Sequence, residues 1–584
     1  MFRLWWLVPI VLGLGIGGIV IWNWPWSAQS IETPAAREPP WFVDVTEEVG
    51  LNFVHDAGPV GDYFMPQQVG SGAALFDFDQ DGRLDILLLQ NGGPQSTSTN
   101  RLFRQRRDGT FEDVSKGSGL DFAGHNMGVA IGDVNNDGWP DVLITQYPGV
   151  KLLLNNGGDG TFTDITAESG LSNPSWGTSA AFVDFDRDGW LDLVVVCYVD
   201  YDPTWPCTGP RGQRDYCAPK TFKGRVSRLF RNLGPAAGKA SEGKAADGKA
   251  PVVRFEDVTI PSGLGRLPGP GLGILCADFN GDGWPDLLIA NDGEPNCLWI
   301  NQKDHTFKEE AARRGLACNE HAQPQANMGI AIGDVDGDGL FDIFVTHLAE
   351  ESHTLWRQGP RGLFRDKTGP SGILKAHWRG TGFGTLFADF NNDGHLDLAI
   401  ANGAVFAQAK PLDDSLGPFW SAYGQRNQLF SGDGTGRFRD ISLDNDHFCG
   451  KSNVARGLAC GDINADGGVD LLLTTIGGPA RLFRNVAPRG HWLSVRAFDP
   501  VHKRDAFGTE ITVHAGTRRW VRWLHPAESY LTSSEPRAHF GLGDVAAVDR
   551  IEVLWPDGSR ESFPGTAADR RIELNQGSGK SAVP

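Results

Sequence analysis

Of its 584 residues the chain has only 4 methionines and 8 cysteines, and no two cysteines stand in a CxxC pair. Neither a thioredoxin-type dithiol, a zinc ribbon nor a c-type haem attachment site can be built from that set. Long helical runs are also scarce, because 76 glycines and 35 prolines interrupt them. A helical bundle or α-solenoid is thereby excluded in favour of short strands and many turns. Basic charge is in deficit: 53 Lys and Arg against 72 Asp and Glu leave a net charge of −19, too acidic for a nucleic-acid-binding surface. No G-x-S-x-G elbow or HExxH helix is found. What is present, 40% hydrophobic and 10% aromatic residues, suffices for a large core and excludes global disorder. Cys207 and Cys217 share one Pro/Gly-rich loop and are the best disulfide pair, with free buried thiols as the alternative.

One long uncharged run does occur. Residues 4–26 carry no charge and exceed the roughly 20 residues that cross a bilayer as a helix. The expectation is a transmembrane signal anchor over residues 1–30 and a linker over 31–40. A cleaved signal peptide is the competing reading, but its apolar core is normally shorter, and Trp24 and Trp26 crowd the small-residue site near Ala28. Arg3 on one flank and Glu32 on the other place the N-terminus in the cytoplasm. The chain is then a single-pass membrane protein with its bulk extracytoplasmic, in the periplasm or at the cell surface, or secreted if the segment is cleaved.

A nonapeptide of the form D-x-[D/N]-x-D-G-x-x-D recurs seven times, beginning at Asp77, Asp133, Asp184, Asp278, Asp334, Asp389 and Asp462. The period is about fifty residues, with insertions in the third and sixth repeats, and suits a four-stranded propeller blade. Small and apolar runs such as GSGAALF precede each nonapeptide and runs such as ILLL follow it, so the acidic segment is a turn between two strands. A third strand resembling RLFRN and a fourth resembling FEDVS complete the unit. The seventh repeat lacks its fourth strand, whereas WFVDVTEEVGL at residues 41–51 is an orphan of that type. An N-terminal strand completing the last blade would close seven blades into a ring.

Oxygen side chains at positions 1, 3, 5 and 9 can converge with the carbonyl of position 7, a donor set for a hard cation, and calcium is the obvious candidate. The first loop offers Asp77, Asp79, Asp81, Arg83 and Asp85, the second Asp133, Asn135, Asp137, Trp139 and Asp141, and the third Asp184, Asp186, Asp188, Trp190 and Asp192. The fourth offers Asp278, Asn280, Asp282, Trp284 and Asp286, and the fifth Asp334, Asp336, Asp338, Leu340 and Asp342. Asp389, Asn391, Asp393, His395 and Asp397 form the sixth, and Asp462, Asn464, Asp466, Gly468 and Asp470 the seventh. Asp-Gly alone also makes tight turns, but seven near-identical loops with aspartate at position 9 argue against turns alone. Up to seven structural Ca2+ ions are expected.

The repeats resemble the FG-GAP/VCBS repeats of integrin-type β-propellers, over roughly residues 41–487. From His491 the pattern changes to alternating strands without acidic loops. The runs FGTEITVHAG, SYLTSSEPRAHFGLG and VDRIEVLWPDG resemble the ASPIC/UnbV domain that follows such propellers in the cartilage acidic protein family. The glycine-rich approach to Tyr-Leu usual in that family is here HPAESYL, residues 525–531. The fold class is therefore read as all-β: a seven-bladed calcium-binding β-propeller over 41–487, a small β-sandwich-like domain over 488–577, a tail over 578–584, and an N-terminal transmembrane helix.

Two aromatic inserts, Tyr198 to Phe222 and Ala404 to Gln425, follow the second strand of the third and sixth repeats and so lie opposite the acidic loops. Trp205, Tyr216, Phe419, Trp420 and Tyr423, with His347 at a strand end, are the candidate ligand face, either stacking platforms or a self-packed cluster. Gln90, Gln146, Cys197, Asn291, Asn402 and Thr475 occupy the equivalent strand ends and either rim a central funnel or cap strands. The functional expectation is a membrane-anchored extracytoplasmic calcium-binding module for an extracellular protein or glycan. A propeller enzyme acting on polysaccharide, a lyase or hydrolase, is the alternative.

Overall fold

Strands form where the apolar runs stand, and the acidic nonapeptides are the turns between them. The computed structural model describes residues 38–235 and 252–581. In the first repeat Ala73–Phe76, Asp85–Leu88, Arg101–Gln105 and Phe111–Asp113 make a sequential antiparallel sheet. The loop is closed at its base by the pair Phe76 and Asp85. Five more repeats build the same four-stranded order. The seventh sheet combines Ala455–Gly461, Asp470–Thr475 and Arg481–Asn485 with Phe42–Asp44 from the other end of the array, Phe42 opposite Asn485.

Adjacent sheets are held by side chains. Ala74, Phe76 and Leu87 of the first repeat share a buried cluster with Val129, Ile131 and Val142 of the second. Ala73, Leu75 and Ile86 share another with Ala459, Leu472 and Leu482 of the seventh. The expected fold class is corrected here. The seven sheets are separate four-stranded ladders, and none closes on itself into a barrel or propeller. The reason is local: most fourth strands are only three residues long, and loops with short helices separate them from the next repeat, so no ladder continues. The transmembrane helix is corrected too. Residues 4–26 lie outside the described residues, and among the described residues no helix is long and apolar enough to cross a membrane. The anchor, the single-pass topology and the membrane as a partner find no support among the described residues.

Beyond the array two further sheets enclose Leu493, Val495, Ile511, Val513, Phe540, Ile551 and Trp555. In one, His491–Asp499 pairs with Ala538–Gly543 and, in parallel, with Arg570–Asn575. The other is centred on Thr509–Ala515 and Arg550–Leu554. The segment between them, residues 525–536, leaves this domain and threads between the first strands of the repeats. Ser529 bridges Ile330 and Ser533 bridges Ala74, while Val129 N–H donates to Leu531 O at 3.1 Å and Thr532 Oγ1 to Leu458 O at 3.1 Å. A Cβ on Gly72 would meet Leu531 O at 1.8 Å, so only glycine admits the segment there. Residues from Pro39 onward accordingly form one compact unit.

Tyr530 is fully buried, and its hydroxyl donates to Val69 O at 3.3 Å. Val69 ends the short helix Met65–Val69, and Met65 and Val69 share one buried cluster with Tyr530 and Leu531. Ser529 and Leu531 hold φ of 70° and 61°, the left-handed region that glycine enters without strain.

Candidate metal centre

One hydrogen-bond scheme recurs in all seven acidic loops. The position 1 carboxylate accepts the N–H of position 5 at 3.0–3.2 Å. Its second oxygen accepts the position 6 glycine N–H at 2.7–3.1 Å. That glycine always has φ between 81° and 100°, which is why Asp-Gly recurs. The position 5 carboxylate accepts the N–H of position 7 at 2.9–3.1 Å.

Position 9 reaches furthest. One of its oxygens accepts the position 2 N–H at 2.9–3.2 Å. The other accepts an N–H of the third strand at 2.7–3.0 Å, from its last residue in every repeat but the third, where Asn232 donates from within Arg228–Pro235. It thus ties loop, second strand and third strand together and is buried in every repeat. Each bonded carboxylate oxygen retains a lone pair, so loops held this way can still offer oxygens to a cation.

Three clusters bring carboxylate oxygens within 4.8 Å of one another: Asp77, Asp79 and Asp85; Asp184, Asp186 and Asp192; and Asp334, Asp336 and Asp342. These can coordinate a divalent cation. In the other four loops position 3 is asparagine, whose amide donates to position 5 at 2.9–3.1 Å. Burial, reinforced by neighbouring carboxylates, pushes Asp85 and Asp342 up to about 8 and Asp133 and Asp389 to about 7. Asp141, Asp192, Asp286, Asp397 and Asp470 rise well above the ordinary range for the same reason. Carboxylates packed this way are protonated or matched by a cation. The all-oxygen donor set fits calcium.

The C-terminal domain lies against these loops. Arg489 pairs with Asp466 at 2.6 Å and Arg571 with Asp462 at 3.1 Å. Trp520 Nε1 donates to Gly394 O at 3.1 Å, and His539 Nε2 lies 2.8 Å from Asn392 Oδ1.

On the far side the two inserts meet. Tyr423 OH donates to Asp215 Oδ1 at 2.8 Å, Ala407 N–H to Asp215 Oδ2 at 2.9 Å, and Arg211 to Ala407 O at 3.0 Å. Tyr216, Trp420 and Tyr423 are buried in one cluster flanked by Phe419 and Tyr63. Trp420 is 9% exposed, whereas Trp205 is 57% exposed and stands apart. Cys207 and Cys217 are joined in the first insert. His347 lies outside this group and is fully buried, with Nδ1 3.1 Å from Ala326 O and Nε2 3.0 Å from Thr354 Oγ1. Burial lowers it to about 3 and keeps it neutral. The strand-end residues are buried or half-buried and are bonded locally: Gln90 N–H donates to Asn100 Oδ1 at 2.9 Å, Asn291 N–H to Asn296 Oδ1 at 3.2 Å and Asn402 N–H to Asn427 Oδ1 at 3.0 Å.

Sequence reasoning missed the amide at or near the end of the third strand. Asn155, Asn232, Asn301 and Asn485 each donate to the position 2 carbonyl of the preceding loop at 2.8–2.9 Å, and Gln105 does so to Ile463 of the seventh at 3.0 Å. The Asn that recurs in KLLLN, RLFRN and CLWIN, replaced by Gln in RLFRQ, is the signal that marks it.

Sequence profiles settle the affiliation. The FG-GAP-like repeat matches residues 77–144, 133–195, 278–345 and 334–400, and the ASPIC and UnbV profile matches residues 500–581. This is an FG-GAP-repeat protein with an ASPIC and UnbV domain. It is related to the cartilage acidic protein family: Cartilage acidic protein 1 of Homo sapiens is 23% identical over 581 residues, covering 93% of this chain and 75% of the relative. The Mus musculus protein is 25% identical over 565 residues, covering 90% and 75%. A solved Agrocybe aegerita lectin that recognises non-reducing terminal N-acetylglucosamine is similar over 73% of this chain and 92% of its own, at 15% identity and a TM-score of 0.37.

Proposed function

We propose that this chain is a calcium-dependent binding module working in an extracytoplasmic compartment, with Ca2+ in up to seven acidic loops and a protein or glycan as its ligand. The observation that carries the reading is the identity of the seven loop frameworks, down to the hydrogen bond on each oxygen of position 9. In each site the side chains at positions 1, 3, 5 and 9 would hold the ion, with the position 7 carbonyl completing the set. The ion supplies charge compensation and cross-links loop to strand, a structural role. The Cys207–Cys217 disulfide suits an oxidising compartment, where calcium is also plentiful.

The ligand is assigned to the insert face, because the C-terminal domain packs against the acidic loops. There Trp205 is the exposed aromatic. The polysaccharide lyase or hydrolase alternative draws no support from His347, which is buried and neutral. The test is capture of glycans and proteins by the purified chain in calcium and in chelator, with Trp205→Ala as control. Capture that needs both calcium and Trp205 supports the reading; turnover of a polysaccharide without retention would replace it.

A further inference from the structure

Position 3 of the seven loops reads Asp, Asn, Asp, Asn, Asp, Asn, Asn, and the third strand follows it. Where position 3 is aspartate, the fourth residue of the third strand is arginine and pairs with it: Arg104 with Asp79, Arg231 with Asp186 at 2.6 Å, and Arg357 with Asp336. These carboxylates are 4%, 1% and 7% exposed. In the second, fourth and sixth repeats the equivalent residues are Leu154, Ile300 and Ser431. The seventh carries Arg484 at this place beside an asparagine loop, and that arginine pairs with Glu48 instead, at 3.2 Å. A guanidinium therefore meets position 3 only where position 3 is charged.

Asparagine, and aspartate matched by arginine, both leave position 3 without net charge. We infer that Arg104, Arg231 and Arg357 are affinity-setting positioning residues of the cation loops. Each fixes the position 3 carboxylate and cancels its charge, so that four-aspartate loops attract a dication no more strongly than three-aspartate loops. Without the arginine, an uncompensated carboxylate faces the site, tightening cation binding and weakening the cation-free loop. This inference rests on the calcium reading above.

The experiment is calcium titration calorimetry on the full chain, with melting in chelator as a second readout, for Arg104→Leu, Asp79→Asn with Arg104→Leu, and Arg484→Leu. Arg104→Leu is expected to tighten one site about tenfold and to lower the melting temperature in chelator. The double variant reproduces the Asn–Leu pairing of the second repeat and is expected to return both readouts towards the parent. Arg484→Leu is expected to leave the titration unchanged. The inference is overturned if Arg104→Leu titrates like the parent or binds more weakly, or if Asp79→Asn fails to reverse its effect. A parent protein that takes up no divalent cation would instead refute the calcium reading itself.

Discussion

Asp141, at position 9 of the second loop, separates a cation ligand from a simple turn-former. Its carboxylate is fully buried and accepts Val134 N–H at 3.0 Å and Asn155 N–H at 2.9 Å. Asp141→Ala strands two buried donors, each costing about 1–3 kcal/mol, so the hydrogen bonds alone account for about 2–6 kcal/mol. If that were its whole role, the loss would be the same in calcium and in chelator. A ligand behaves differently. In chelator the variant also removes a buried carboxylate repelled by Asp133 and Asp137, which offsets part of the cost. In calcium it loses the cation as well, and native-state binding adds stability by mass action. Denaturant titration of parent and variant in both conditions should therefore show the larger loss in calcium, by about 2 kcal/mol or more. Asp159→Ala serves as control: this exposed Asp-Gly turn outside the loops bonds only Thr161, and its removal should cost about 1 kcal/mol or less in either condition. Equal losses for Asp141→Ala with and without calcium would refute the reasoning.

In chelator, the melting temperature should rise as pH is lowered from 8.5 to 6. Asp85, Asp342, Asp133 and Asp389 have folded pKa values raised to about 7–8 from an ordinary 3.8, so their stabilising protonation is lost as pH climbs through that window. In saturating calcium the order should reverse, because protons and calcium compete for the same oxygens. Trp420→Ala should cost about 3–5 kcal/mol by emptying a buried site, whereas Trp205→Ala should leave stability within about 0.5 kcal/mol while reducing ligand capture; equal destabilisation by the two would place Trp205 in the core. Tyr530→Phe should lose about 1 kcal/mol with the bond to Val69 O, and Tyr530→Ala several times that, by calorimetric melting; a silent Tyr530→Ala would mean that the C-terminal domain does not brace the repeats.

The loops were legible because their chemistry is local. Nine residues contain the turn, the glycine with positive φ and the carboxylates, and the flanking runs alternate as strands must. The pairing of Phe42–Asp44 with Arg481–Asn485 could be read from the two incomplete ends. Contacts that depend on distant segments could not be read. Nothing in HPAESYL reports that Tyr530 will lie against Val69, since that contact spans most of the chain. Trp420 and Trp205 look alike in sequence, and only the fold buries Trp420 in a cluster with Tyr216, Val454 and Ile476 while leaving Trp205 in solvent. Nor does the sequence report that His347 is enclosed by Ala326, His353 and Thr354, which bury it at its strand end.

The most direct test is the calcium content of the purified full chain, measured by metal analysis after equilibrium dialysis at millimolar free calcium, beside its melting curve with and without chelator. Up to seven calcium ions per chain are expected, one fewer in Asp141→Ala, with a marked drop in melting temperature on chelation. A chain that retains no calcium and melts identically in chelator would contradict the calcium reading.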